Sequence, residues 1–339
     1  MDACVIHMEA INSFQITNCD FMDNNAFCII LDDSNYTIFR STYFIRNFGG
    51  THLIDVKKIV TLNCTLRDNL HPQTAASTIV KCQLMIIYGN VYEMNDGRGA
   101  SFIKFANSVK IILCQYSFNS ARSFGGAISL LNVKSVLIIH SIFQHNEAIF
   151  EGGGLHGVKV DEIISINTTY RSNKAGYGGV ANLQQINICI NIGCLYVMNM
   201  AEKHGGAFYI QRADIIRNIN CSFISNSAKE SGSCLVSPNV KIMINLYSNI
   251  INNTCTESTM SISDFQAIYL VQCYCTSNKG EVIKAQKGLN TSFYNCYFLQ
   301  NKAASGSGLH LSKISLSKII QSRFYGNIAT TSGGGVYIK

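Results

Sequence analysis

Phe143-Gln-His-Asn146-Glu-Ala148, closed by Gly152-Gly153, is one of four consecutive copies of a single phrase. The others are Tyr116-Ser-Phe-Asn119-Ser-Ala121 to Gly125-Gly126, Tyr170-Arg-Ser-Asn173-Lys-Ala175 to Gly178-Gly179, and Tyr196-Val-Met-Asn199-Met-Ala201 to Gly205-Gly206. A phrase repeated at a nearly fixed interval marks a solenoid, in which each repeat is one structural unit stacked on the next. The marker Asn recurs thirteen times from Asn24 to Asn327, at intervals of 22 to 27 residues. No gap has room for a separate unit. The reading is one repeat domain over 1–339, with degenerate coils over 1–90 and clear ones over 91–339.

The columns around the marker specify the conformation. Three residues before it stand Phe44, Tyr92, Tyr116, Phe143, Tyr170 and Tyr196; five before it stand Cys114, Ser141, Thr168, Cys194 and Cys221. Seven before it the column is mostly aliphatic, as in Ile112, Ile139, Ile166, Ile192 and Ile219. The residues between are mixed and often polar. Alternation of period two describes a strand with one buried face, and the Gly doublet in each repeat opposes helix. About 25 residues with two or three strands suit one turn of a parallel β-helix. Thirteen coils at a rise of ~4.8 Å make a rod roughly 60 Å long. Right-handed winding follows from the handedness of parallel crossovers. The Asn is expected to bond turn backbone or the Asn one coil along, and the Gly doublets to supply positive φ at a bend.

Composition sets the outer bounds. With 47% hydrophobic and 14% charged residues the chain has material for a core, which argues against disorder. The formal charge of +7 reads as Lys and Arg scattered over a solvated surface, with no nucleic-acid partner expected. No apolar run reaches the ~20 residues of a membrane span, and Asp2, His7 and Glu9 interrupt any signal-peptide core. The first repeat is already under way at Phe21 and the chain stops inside a strand at Val336-Tyr-Ile-Lys339. Both ends are therefore expected to be uncapped and the chain to be a piece of a longer protein.

Fourteen cysteines allow a disulfide framework or reduced thiols. Seven share a column with Ser, Thr and Asn, which says small and inward-facing rather than half of a bridge. Stacked free thiols are expected, with Cys194/Cys221 and Cys273/Cys296 the pairs best placed to bridge. Cys273-Tyr-Cys275 lacks the spacing of a zinc site; no metal or cofactor is expected. Glycosylation triplets begin at Asn35, Asn63, Asn167, Asn220, Asn252 and Asn290, consistent with a secretory route.

Gly125-Gly-Ala-Ile128 with Phe143-Gln-His-Asn146, then Phe223-Ile-Ser-Asn226, Phe298-Leu-Gln-Asn301 and Phe324-Tyr-Gly-Asn327 with Gly333-Gly-Gly-Val336, resemble the repeats of the chlamydial polymorphic outer-membrane proteins and of protist surface proteins. The resemblance covers residues 90–339 well and residues 1–90 through the Asn and aromatic columns. It implies a right-handed, pectate-lyase-like solenoid and a secreted or surface-displayed passenger that adheres or shields. The signal peptide and membrane barrel of the bacterial members are not in this sequence.

Two functional readings follow. The favoured one is a non-enzymatic rod, extracellular or on the cell surface, that binds a host or cell-surface glycan or protein. Its candidate binding column lies four residues past the first Gly of each doublet: Ser101, Ser129, His156, Asn182, Tyr209, Val236, His310 and Tyr337. The alternative is a polysaccharide lyase or glycoside hydrolase. Twelve residues before the marker stand Lys134, Asp161, Asn187, Asp214 and Lys241. Stacking puts Asp161 and Asp214 about two coil rises apart, roughly 9.6 Å, near the upper limit for an inverting carboxylate pair. The competing reading is a polar ladder of ordinary surface pairs. His140 and His145 flank a strand end, His156 lies one coil on, and spacing alone assembles no Ser-His-Asp arrangement or phosphate loop.

Overall fold

In the computed structural model, which describes residues 4–339, one coil explains the rest. Strand Ile128–Ile139 bends at Asn132 and is followed by short strands Ile142–Gln144 and Glu147–Ala148. After Gly152-Gly153 the next coil begins as Leu155–Ile166. Each strand pairs in parallel with its equivalent one coil away: Ile128 with Leu155, Phe143 with Tyr170, Glu147 with Lys174. The strands equivalent to Ile142–Gln144 stack into a thirteen-stranded sheet, and the long strands together with those equivalent to Glu147–Ala148 into a 22-stranded one. The described residues contain no helix, so none could cross a membrane as a helix. The all-β parallel solenoid of thirteen coils expected from the Asn spacing is what forms.

Its corners use a device the sequence did not advertise. Asn132, His140 and His145 all have left-handed backbones, with φ of 53°, 47° and 54°. The same three places are left-handed in every coil, with Gly89, Gly193 and Gly326 at three of them. For an L-residue this costs roughly 1–2 kcal/mol. The ladders offset it, because each corner N–H donates to the next coil: His140 N to Ile166 O at 3.0 Å, His145 N to Arg171 O at 3.0 Å. The corners also break the period of two. Inward positions run Ile138, Ser141, Phe143, Asn146, in steps of three across each left-handed residue and two within a strand. The aliphatic column of Ile112, Ile139, Ile166, Ile192 and Ile219, read by alternation as inward, is therefore half-buried on the outer side. The inner column is one residue earlier, at Ile111, Ile138, Ser165, Asn191 and Asn218.

The expected inner stacks are present. Ring centroids along Tyr92, Tyr116, Phe143, Tyr170, Tyr196 and Phe223 are 4.5, 4.8, 5.1, 5.2 and 4.7 Å apart. Beside them the marker Asn residues form an unbroken hydrogen-bond ladder from Asn24 to Asn327. Asn146 Nδ2 donates to Asn173 Oδ1 and to Tyr116 O, both at 2.9 Å. Its Oδ1 accepts from the N–H and Nδ2 of Asn119 at 3.1 and 2.9 Å. Each amide thus satisfies its own buried groups and two of its neighbours', as interior polar groups must be. The column five before the marker is buried from Thr42 to Cys296. Its Cys, Ser and Thr residues interchange because each needs only a small donor to the carbonyl two residues back: Cys114 Sγ to Ile112 O at 3.2 Å, Ser141 Oγ to Ile139 O at 2.9 Å, Thr168 Oγ1 to Ile166 O at 3.1 Å. All fourteen cysteines are free.

The Gly doublet has two separate requirements. Its first member is left-handed, as at Gly152 with φ of 66°. Its second is not; a Cβ on Gly153 would lie 2.5 Å from both Gly179 O and Lys174 O. These are backbone atoms of the next coil and cannot turn away. Gly153→Ala is expected to cost about 3 kcal/mol through overpacking, read as a lower denaturant midpoint. An unchanged midpoint would show that the coils can part locally without loss.

Candidate ligand-binding face

The segment between each marker Asn and its Gly doublet folds back over the outer face of the long sheet. There it meets the candidate column. His156 is in register with Ser129 and Asn182, Asn182 with Tyr209, and His310 with Lys284 and Tyr337. Ser101 is not a member: it pairs with Ile128, and Phe102 stands beside Ser129. The column is also less open than expected. Ser129 and His156 are each 8% exposed and Asn182 is fully buried, whereas Tyr209, His310 and Tyr337 are half-buried. The folded-back segments cover it: Phe124 stacks on His156 at 4.9 Å and Tyr177 lies 5.3 Å from Tyr209.

Under this cover the chain assembles a polar relay that spacing did not reveal. Ser129 Oγ lies 3.4 Å from His156 Nδ1, and His156 Nε2 lies 3.2 Å from Glu151 Oε2, which accepts from Gln184 Nε2 at 3.0 Å. The order is that of a Ser-His-acid nucleophile, but such chemistry also needs donors aimed at an oxyanion. The nearby N–H groups of Gly125 and Gly126 already donate to Glu151 O and Gly152 O. What remains is a polar brace that fixes the cover to the sheet. His204 with Glu230 at 3.2 Å and His310 with Glu281 at 2.7 Å repeat the His-carboxylate pairing on other coils. His140 and His145 stand at left-handed corners instead, His145 stacked on Phe118 at 4.8 Å. No group of three potential metal ligands occurs among the described residues.

The cover itself is unusually apolar on its outside. Phe124, Ile149 and Phe150 are 40%, 60% and 55% exposed, with the two rings 6.2 Å apart. These residues, with Glu151 and Tyr177, were missed by the sequence reading. Their signal was weak, because the segment varies in length between repeats and its positions do not align.

The carboxylate column stacks as anticipated, with Lys134, Asp161, Asn187, Asp214 and Lys241 on successive coils. Its members engage one another: Asn187 Nδ2 approaches Asp161 Oδ1 at 3.5 Å, and Lys241 Nζ lies 2.7 Å from Asp214 Oδ1. Asp214 and Lys241 border an open groove with Gln185, Arg212, Asn239 and Asp264.

Fold and comparisons define the class together. The chain is a right-handed parallel β-helix repeat protein; residues 4–116 match the family described as a right handed beta helix region. Curated proteins and solved structures give no match to the chain.

Proposed function

We propose that the chain is a non-enzymatic rod of a secreted or cell-surface protein, acting in adhesion by binding a cell-surface glycan or protein. The observation that carries this reading is the exposed Phe124, Ile149 and Phe150 cluster beside His156, Tyr177 and Tyr209. Contiguous apolar side chains held out in water on a rigid scaffold mark an interaction surface. The aromatic rings supply area at low entropic cost and the flanking polar groups supply direction. Display outside the cell is supported by the glycosylation triplets: Asn35, Asn63, Asn167, Asn220, Asn252 and Asn290 are all exposed.

The test is adhesion. Beads coated with the chain should bind host or neighbouring cells, and Phe124→Ala/Phe150→Ala/Tyr209→Ala should reduce bound beads at least tenfold with the β-sheet spectrum unchanged. Full adhesion by the triple variant would remove this face from the reading. The groove at Asp214 favours one second reading, a polysaccharide lyase or glycoside hydrolase using Asp161 and Asp214 with Lys134 and Lys241. Reducing-sugar and unsaturated-product assays on pectin and alginate are expected to stay flat. Turnover abolished by Asp214→Asn would replace the first reading with the second.

A further inference from the structure

The charge of this chain is not scattered. Residues 265–339 hold eight of the 27 Lys and Arg side chains and one of the 20 Asp and Glu, so residues 1–264 carry nineteen of each. The whole formal charge of +7 therefore belongs to the last three coils. Upstream, six of the nineteen Lys and Arg are ion-paired among the described residues, as Arg46 with Asp23 at 2.7 Å and Lys241 with Asp214 at 2.7 Å. Of the described Lys and Arg downstream of 264, Lys284 alone has a carboxylate partner, Glu257 at 3.1 Å; the one downstream carboxylate, Glu281, pairs with His310.

One column shows the contrast directly. Just past the marker Asn, Lys174 is in register with Glu147 and bonds it at 3.0 Å. In the same column Lys279 is in register with Lys302, so two exposed ammonium groups stand one coil rise apart. Like charges directly opposite in a sheet are destabilising, and nothing in the fold neutralises these. They border a groove with Ser277, Gln300 and Tyr325, and no carboxylate lines it. Across the left-handed corner at Ser277 and Gln300, on the short sheet, the rings of Tyr274 and Tyr297 stack at 4.5 Å with their planes 2° apart, and the Arg323 guanidinium lies 5.7 Å over Tyr297.

We propose that this face is a binding site for an acidic polysaccharide laid along the rod axis, its carboxylate or sulfate groups meeting Lys279, Lys302 and Arg323. Charge complementarity selects a polyanion. The coil rise of ~4.8 Å is close to the length of one sugar ring, so a glycan with an acidic group on each residue keeps step with the lysines. Tyr297 offers no open ring face of the kind on which the bases of single-stranded nucleic acid stack. Both faces of Tyr297 are occupied, one by Tyr274 and one by Arg323, leaving its edge and hydroxyl for a hydroxyl-rich ligand.

The experiment is a titration of the chain with heparin, polygalacturonate, neutral dextran and a single-stranded oligonucleotide at low and high salt. Heparin or polygalacturonate should bind, weakening at least tenfold at high salt as released counterions predict, and dextran should not. Lys279→Gln/Lys302→Gln should weaken acidic-glycan binding at least tenfold, and the charge-matched Lys57→Gln/Lys110→Gln less than twofold. Equal losses in the two variants would reduce the effect to overall charge and overturn the site. Tighter binding of the oligonucleotide, or no binding of either acidic glycan, would overturn the ligand. The site lies on later coils than Phe124, Phe150 and Tyr209 and shares no residue with that face, so these outcomes leave the adhesion reading to its own test.

Discussion

Asn146→Asp, a change of one amide to one carboxyl, is expected to cost about 3–5 kcal/mol, the range for an uncompensated buried charge. Asn146 is fully buried. Its Oδ1 is an acceptor that a carboxylate reproduces, but its Nδ2 donates to Tyr116 O and Asn173 Oδ1, and a carboxylate has nothing to donate. Two acceptors would then face an anion. Asn146→Leu removes the charge yet leaves the Asn119 donors and Tyr116 O without partners, at about 1–3 kcal/mol for each orphaned group. Asn220→Asp, on the exposed corner of another coil, should change stability by less than about 0.5 kcal/mol. The sign with pH separates the two ladder variants. Burial among acceptors raises the folded pKa of the new carboxyl above its unfolded value. The Asp penalty is therefore absent below the unfolded pKa and grows as pH rises toward the folded one. The denaturant midpoint of Asn146→Asp should fall with rising pH while that of Asn146→Leu tracks the wild type. Parallel curves for the two would show that the Asn146 amide does not act as the donor its contacts to Tyr116 O and Asn173 Oδ1 describe.

The ladder was legible in sequence because it demands one residue type: only an amide both donates and accepts along the rod, so Asn recurs where other positions drift. The aromatic column and the small inward column were legible for the related reason that stacking and a short donor restrict what fits. The left-handed corners were not. Leu113, Phe118, Arg212 and Tyr247 occupy them without any turn preference of their own, because interchain-like hydrogen bonds between coils impose the conformation from outside. That hidden break in periodicity is why the aliphatic column at Ile139 was assigned to the wrong side. The candidate face was half legible. The register of Ser129, His156, Asn182 and Tyr209 followed from counting, but its cover did not. Glu151 reaches His156 only once a segment of variable length has folded back, and Phe124 reaches it from the preceding coil. The basic face was legible in principle; it needed the charges summed by coil rather than over the chain.

Ellman's reagent is expected to titrate Cys19 quickly and Cys4 more slowly in the folded chain, and all fourteen thiols in guanidinium. Cys19 is exposed, Cys4 half-buried and the other twelve buried. Two barriers act: access limits all twelve, and ionisation limits all of them but Cys194 and Cys296. The thiolate is the nucleophile, and burial pushes Cys28 and Cys189 up to about 12 and Cys82 and Cys114 up to about 11. The second barrier is access, since the reagent must wait for a coil to open. An opening free energy of about 4 kcal/mol slows labelling roughly a thousandfold. Cys194 separates these barriers. A hydrogen bond from Cys221 holds its thiol below the ordinary value while Cys221 is raised, so ionisation alone would make Cys194 react far ahead of Cys82. Access predicts that both wait for opening and label together, and this is the expected result. The same experiment under a thiol oxidant addresses the stacked pairs. Neighbouring coils bring Cys194 near Cys221 and Cys273 near Cys296, about one strand spacing apart and within disulfide reach. Yet each thiol already donates to a carbonyl of the coil before, Cys194 to Ser165 O at 3.3 Å and Cys221 to Asn191 O at 3.4 Å. Bridging would break both of these hydrogen bonds. Mass spectrometry should therefore find both pairs reduced after mild oxidation of the folded chain; a bridged pair would show that the stack yields more readily than its hydrogen bonds imply.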